Sequence, residues 1–300
     1  MSRNQVRTAL VTGSSSGIGR ACASVLIERG YRVFGGVRRE EDARALALGV
    51  GNGVTPVMLD VTDDESVSRA VALISASVGE AGLHALVNNA GVVVAGPLEY
   101  LRAEEISRQF EVNVLGTLRV TRACLPLLRF ARGRIVIVGS IAGRVSFPFL
   151  GPYSASKAAL ASLAATLRME LRAAGVLTCV VEPGSVATPI WEKSFSSARD
   201  TMAGFPPEAL EAYGAQMEAT LSSSAVAASM GVPPVAVARA LARALAAPRM
   251  RGRYLVGWDA RLLELAQALL PPSLYERFQI ALVHRGRRAS GVAESRGNAL

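Results

Sequence analysis

Tyr153 and Lys157, four residues apart, and Ser140, thirteen positions earlier, are the residues of this chain best placed to do chemistry. On a helix, positions four apart share one face. A cation beside a phenol favours the phenolate and draws its pKa down from about 10. That makes the tyrosine a usable proton donor or acceptor near neutral pH. Lys157 and Lys193 are the only lysines in an arginine-rich chain, and lysine is the cation that burial can tune. The bland alternative is a surface tyrosine beside a solvated lysine, and the pair alone does not decide.

The elements needed to position these groups are legible. Pro152 suits a first helical turn, and SASKAALASLAATLRMEL continues with strong helix formers. Ser140 ends the apolar run Arg134 to Gly139, so a strand delivers its hydroxyl to a C-terminal sheet edge, where α/β proteins place ligands. Ala103 to about Phe130 reads as one long helix with Asn113 and Gly116 inside it. Asparagine is a poor helix former, so Asn113 is either exposed or bonded to something specific.

Upstream, the strand Arg7 to Thr12 runs into Gly13-Ser-Ser-Ser-Gly17-Ile18-Gly19 and then a helix, Arg20 to about Arg29. Strand, glycine turn and helix form the context of a phosphate-binding loop. Tyr31 to Val37 is a second strand. The residue at its end meets the adenosine ribose in dinucleotide folds, where an acid favours NAD. Here Val37-Arg38-Arg39 stands instead, with no aspartate until Asp42. An arginine can pair with a 2′-phosphate, so NADP(H) is the preferred cofactor with Arg38 its main contact, and NAD(H) the alternative. Arg38 could also simply open the next surface helix.

Further strands are expected at Val54 to Asp60, Leu83 to Val87, Arg134 to Ser140, Val176 to Glu182 and Gly252 to Gly257, with helices between them. That alternation makes a parallel sheet covered on both faces. Asn88-Asn-Ala-Gly91 could border a flat ring or be a plain turn. One domain spans 1–284. Within it, 190–231 reads as a substrate lid with an apolar inner face, and 259–283 as C-terminal amphipathic helices. The tail 285–300 reads as disordered.

Composition narrows the class. Half of the 300 residues are apolar, and the net charge is +9. The arginines are dispersed and lack aromatic interleaving, which argues against a nucleic-acid partner. Cys22, Cys124 and Cys179 have neither disulfide nor metal spacing, so no metal is expected and a reducing, cytoplasmic home is. No apolar h-region precedes the first strand, so no signal peptide is expected. No apolar run reaches the ~18 residues of a membrane span. Leu262 to Val283 could lie peripherally on a membrane; dimer-forming or pocket-closing helices are the preferred reading.

Taken in order, TGSSSGIG (Thr12 to Gly19), NNAG (Asn88 to Gly91), Asn113, Ser140, YSASK (Tyr153 to Lys157) and PGSVAT (Pro183 to Thr188) resemble the short-chain dehydrogenase/reductase family, in its TGxxxGxG branch. The specific motifs cover Arg7 to Pro189, with looser likeness to about Leu282. The resemblance implies a Rossmann fold, a doubly wound seven-stranded parallel sheet in the order 3-2-1-4-5-6-7. It implies that Tyr153 is the acid/base, Lys157 lowers its pKa and holds the nicotinamide ribose, Ser140 orients the reacting oxygen, and Asn113 binds a relay water. For the cofactor it implies Gly13, Ser15, Ser16, Gly17, Ile18 and Gly19 at the phosphates, Asp60 and Val61 at the adenine, Asn89, Ala90 and Gly91 beside the adenosine side, and Pro183, Gly184, Val186 and Thr188 over the nicotinamide.

A finer likeness is to the 17β-hydroxysteroid and retinol dehydrogenase group, carried by FEVNVLGTLRVTRACLPLL, by the spacing from Ser140 to Tyr153 with Phe147-Pro148-Phe149 between, and by EPGSVATPIW. It implies a small lipophilic alcohol or carbonyl substrate and a homodimer or homotetramer. Ser140, Phe147, Phe149 and Trp191, with Leu98, Leu150 and Phe195, are the expected substrate contacts, although several could simply pack the core. The expected function is an NADP(H)-dependent oxidoreductase interconverting a lipophilic secondary alcohol and its ketone. A 3-ketoacyl-thioester or polyketide ketoreductase and a non-catalytic NADP-sensing protein are the alternatives.

Overall fold

The computed structural model describes residues 6–281, the side chains of Glu192, Lys193 and Phe195 excepted. The expectations for Phe195 and for the tail 285–300 therefore lie outside the described residues. In chain order the elements are β1 (Arg7–Val11), α1 (Gly17–Glu28), β2 (Tyr31–Val37), α2 (Glu40–Val50), β3 (Val54–Met58), α3 (Asp64–Val78), β4 (Ala85–Asn88), α4 (Ala103–Phe110), α5 (Gly116–Ala131) and β5 (Arg134–Val138). There follow α6 (Gly151–Glu170), β6 (Leu177–Pro183), α7 (Pro189–Ala203), α8 (Pro207–Ala209), α9 (Ala215–Ser229), α10 (Pro234–Ala246), β7 (Arg253–Val256), α11 (Trp258–Leu269) and a last helical segment, 272–281.

All the strand pairs are parallel, and the sheet order is β3-β2-β1-β4-β5-β6-β7, as expected. Strand side chains alternate between the faces, so each strand supplies two cores. Ala9, Val11, Val33, Val87, Val136 and Val181 face α1 and α10. Leu10, Phe34, Val57, Leu86, Ile135 and Ile137 face α3, α5 and α6. Cys22, Cys124 and Cys179 are buried among them, and burial pushes each thiol up to about 12. They behave as small apolar residues rather than nucleophiles.

The helix expected from Ala103 to Phe130 is interrupted. A π-turn, Glu111–Leu115, separates α4 from α5, and Asn113 lies inside it. The segment read as a lid is largely helical, formed by α7, α8, a second π-turn (Leu210–Gly214) and α9. On α11, Trp258, Leu262, Leu265 and Leu269 share one exposed face, joined by Leu274 and Ile280 beyond it. Among the described residues no helix is long and apolar enough to cross a membrane.

One buried charge ties the sheet's last strands to the C-terminal helices. Glu182 on β6 is 1% exposed. It accepts from Arg144 at 3.0 Å and from Arg253 at 2.5 Å, and Arg253 also pairs with Glu264 on α11. Removing one partner from a buried ion pair strands the others, at a cost of about 3 kcal/mol or more. Arg253→Ala, which leaves the buried Glu182 carboxylate with Arg144 alone and removes the partner of Glu264, is therefore expected to destabilise the protein by about that amount. Urea unfolding followed by circular dichroism checks this; an unchanged midpoint would rule the network out as a structural tie.

Candidate active site

The C-terminal ends of β1, β2, β3 and β4, with Thr188 to Ile190 beyond β6, open onto one cleft of about 430 Å³. Its floor is the glycine turn. Gly13 (φ +64°) and Gly17 (φ +54°) occupy the left-handed region that glycine enters without strain. A Cβ on Gly19 would lie 2.1 Å from the Gly13 carbonyl oxygen, so this glycine allows α1 to start directly under the turn. Thr12 and Asn89 lock the turn to the next strand. Thr12 Oγ1 accepts from the Asn89 and Ala90 N–H groups, and Asn89 Nδ2 donates to the Thr12 and Gly13 carbonyls. The NNAG segment is thus a brace for the phosphate turn.

Of the expected cofactor residues, Gly13, Ser15, Ser16, Gly17, Ile18, Arg38, Asp60, Val61, Asn89, Ala90, Gly91 and Thr188 line this cleft. Gly19 is buried beneath the turn. Val186 is buried in the core and bridges to Val232. Gly184 is held against the Asp259 carboxylate. Arg38 is exposed on the cleft wall, whereas Arg39 is occupied by Glu41 and Asp42. The narrow glycine turn, the helix N-terminus behind it and the arginine on the wall fit an extended phosphate-bearing dinucleotide.

Ser140, Tyr153 and Lys157 come together as buried groups. Ser140 follows β5, and its Oγ accepts from the Ala142 N–H at 3.1 Å. Lys157 Nζ donates to the Val138 carbonyl at 2.9 Å and stands 5.7 Å from the centre of the Tyr153 ring. Burial pulls the amine down to about 8. Burial also pushes the Tyr153 phenol up, against the lowering effect of its hydrogen bond with Ser140. This corrects the expectation that Lys157 draws the phenol down. In this arrangement the ammonium is spent on a strand carbonyl, and desolvation governs both groups.

Asn113 has the specific partners that its mid-helix position required. Its Oδ1 accepts from the Val92 N–H, and its Nδ2 donates to the Val92 carbonyl and to Ser156 Oγ. Gln109, four residues earlier and fully buried, does the same one step along: it accepts from the Val94 N–H and donates to the Val92 carbonyl. Two side-chain amides thus pair with the 92–94 segment as a strand would. Ser156 donates onward to the Tyr153 carbonyl, joining this clamp to α6. Sequence reasoning missed Gln109 and Ser156. The signal was there for Gln109, a polar residue one turn before Asn113 on the same face.

At the substrate end, Phe147, Phe149, Leu150 and Trp191 gather around Tyr153 with Val93, Ala95, Met217 and Leu221. The Trp191 ring meets Tyr153 edge-on at 6.4 Å. Phe149 holds a left-handed backbone, φ +63°, which is costly for an aromatic residue. The cavity left between these residues and α9 is only about 10 Å³. Leu98 is mostly exposed and covers Gly151 from outside. The residues expected to meet substrate cluster beside Tyr153 and pack closely against one another.

The Lys157 shift has a stability consequence. A lysine whose folded pKa lies below its unfolded value binds fewer protons folded than unfolded between the two. Folding is therefore penalised below pH 8, and the penalty, about 3 kcal/mol, fades as pH rises from about 8 towards 10.5. Lys157→Met is expected to raise the melting temperature at pH 7 and to narrow the gain by pH 10. A variant less stable than the parent at pH 7 would contradict it.

A family profile described as short chain dehydrogenase matches residues 7–199. The chain is 35% identical over 280 residues to the NADPH-dependent 3-dehydrocapnine reductase of Ornithobacterium rhinotracheale, covering 91% of this chain and 95% of that one. It is 36% identical over 272 residues to human retinol dehydrogenase 5, covering 89% and 85%. A solved short chain dehydrogenase from Burkholderia cenocepacia, in complex with NADP, superposes with a TM-score of 0.69 at 29% identity, covering 91% of this chain and 98% of that one. The chain belongs to the short-chain dehydrogenase family of oxidoreductases.

Proposed function

We propose, taking membership of that family as the premise, that this chain is an NADP(H)-dependent oxidoreductase interconverting a lipophilic secondary alcohol and its ketone. The observation that carries the reading is a buried serine, tyrosine and lysine brought together beside a largely apolar cluster, in a chain that also holds a phosphate-turn cleft. A polar triad enclosed this way suits a single reacting oxygen on an apolar skeleton.

The bound dinucleotide would supply or accept the hydride. Tyr153 would give a proton to the carbonyl oxygen, or take one from the alcohol, and Ser140 would donate a hydrogen bond to the same oxygen. A phenol raised by burial is the right form for the donating, reductive direction. Lys157, pulled down to about 8, would hold the cofactor's ribose hydroxyls and exchange protons near neutral pH. The Asn113 and Gln109 clamp would fix 92–94 and α6 relative to one another. Arg38 would read a 2′-phosphate. A substrate needs more than about 10 Å³, so α7 and α9 would draw away from Phe149 and Leu150 to admit one. The NADPH-dependent reductase and the retinol dehydrogenase among its relatives are named for carbonyl and alcohol chemistry, the latter on a primary alcohol.

A panel of steroids, retinoids, simple ketones and carrier-bound 3-ketoacyl thioesters, followed by NADPH absorbance, tests the substrate class; turnover confined to the thioesters would replace it. Tyr153→Phe is expected to lower kcat by at least about 100-fold with NADPH affinity within about twofold. Retained turnover would remove Tyr153 as the acid/base. Arg38→Asp is expected to shift the NADPH-to-NADH preference in kcat/KM by at least about tenfold towards NADH. An unchanged ratio would mean that Arg38 does not read the phosphate.

A further inference from the structure

The segment Pro183 to Thr188, which begins on the last residue of β6, reaches the cleft through Thr188. Most of its anchors are backbone to backbone. The Gly184 N–H donates to the Val256 carbonyl, the Ala187 N–H to the Val232 carbonyl, and the Ser185 carbonyl accepts from the Val232 N–H. One anchor is different. The Ser185 N–H donates to Asp259 Oδ2 at 2.6 Å, across a gap of 74 residues in sequence.

Two glycines make room for that carboxylate. A Cβ on Gly184 would lie 2.3 Å and 2.4 Å from the two Asp259 carboxylate oxygens, and its three nearest neighbours would all be atoms of that group. A Cβ on Gly257 would lie 2.4 Å from Asp259 Oδ1. Gly184 shows no positive φ, so its lack of a side chain is explained by this close approach alone. Asp259 sits in the first turn of α11, where the helix dipole stabilises a carboxylate. The start of α11 is held in turn, since Glu264 one turn on pairs with Arg253 and through it with Glu182, the residue before the loop. A charged acceptor on a rigid helix makes a short, strong hydrogen bond.

We propose that Asp259 is a positioning residue for the cofactor: its carboxylate fixes Ser185 and thereby sets where the 183–188 loop meets the bound dinucleotide. The inference rests on the NADP(H) oxidoreductase reading. It assigns to the start of α11 a direct mechanical part in cofactor binding, made by one side chain against one backbone N–H. Gly184 and Asp259 then form a steric pair, with Gly257, whose φ of +108° calls for glycine in any case, leaving room on the other side.

The test is NADPH fluorescence titration of the full-length protein, with thermal unfolding alongside. The parent must bind NADPH; if it does not, the cofactor reading itself fails. Asp259→Ala is expected to weaken NADPH binding about tenfold, the effect of losing about 1.4 kcal/mol of charged hydrogen bonding. Asp259→Asn, whose amide oxygen can still accept from Ser185, is expected to recover most of it. Gly184→Ala alone is expected to weaken binding about tenfold or more, because its methyl group displaces the carboxylate. In the Asp259→Ala background the same methyl has nothing to meet, so the double variant should bind as the Asp259→Ala variant does. Parent-like binding by Asp259→Ala overturns the proposal while leaving the cofactor reading intact. Additive losses in the double variant overturn it too, as does a loss in Asp259→Asn equal to that in Asp259→Ala.

Discussion

An amine held out of water sets the terms for the whole centre of this molecule. Lys157 is 7% exposed and gives a hydrogen bond to the Val138 carbonyl at the end of β5. Burying that group opposes folding, so the surroundings have to be arranged around it. Helix α6 must lie close to the strand end, and it does so only because residue 143 is glycine: a Cβ there would come within 2.8 Å of the Lys157 backbone. The same close approach puts Ser140 and Tyr153 within hydrogen-bonding reach of each other. Burial raises the phenol and lowers the amine, so both members hold the neutral form more readily here than they would in water.

The second constraint is rigidity around that amine. Segment 92–94 leaves the sheet without a strand partner, and buried backbone groups must find partners somewhere. Gln109 and Asn113 supply them. A regular α-helix places residues four apart on slightly diverging lines, while the π-turn at Glu111–Leu115 inserts an extra residue's rotation between the two amides. Such turns inside α-helices are often found at functional sites. The helix interruption and the amide clamp are therefore parts of the same arrangement.

Much of this was legible in the chain itself. The strand and helix alternation specified the parallel sheet because buried strands and glycine turns leave strong local signatures. Ser140, Tyr153, Lys157 and Asn113 were legible because their types are unusual for their local contexts. What stayed hidden depended on contacts between distant segments. The partnership of Asp259 with Gly184 and Ser185, and of Glu182 with Arg144 and Arg253, joins residues that nothing local connects. The direction of the Tyr153 shift was misjudged for a related reason: spacing shows that a lysine is near, but not that a strand carbonyl has claimed its ammonium. The π-turn was missed because Asn113 marks an irregularity in the helix without showing what kind.

The two faces of the sheet mature at different times as the chain is made. The face covered by α3, α5 and α6 draws on residues up to about Val180, so it can close while the rest of the chain is still absent. The opposite face cannot. Helix α1 packs against α10, and Val25 and Leu26 share a core with Val237 and Leu241, more than two hundred positions later. Because β1 and α1 carry the glycine turn, the first ligand-binding feature synthesised is among the last to gain its packing. During that interval α1 presents bare apolar surface to its surroundings. Such long-range closure slows folding through the loop that must be ordered first.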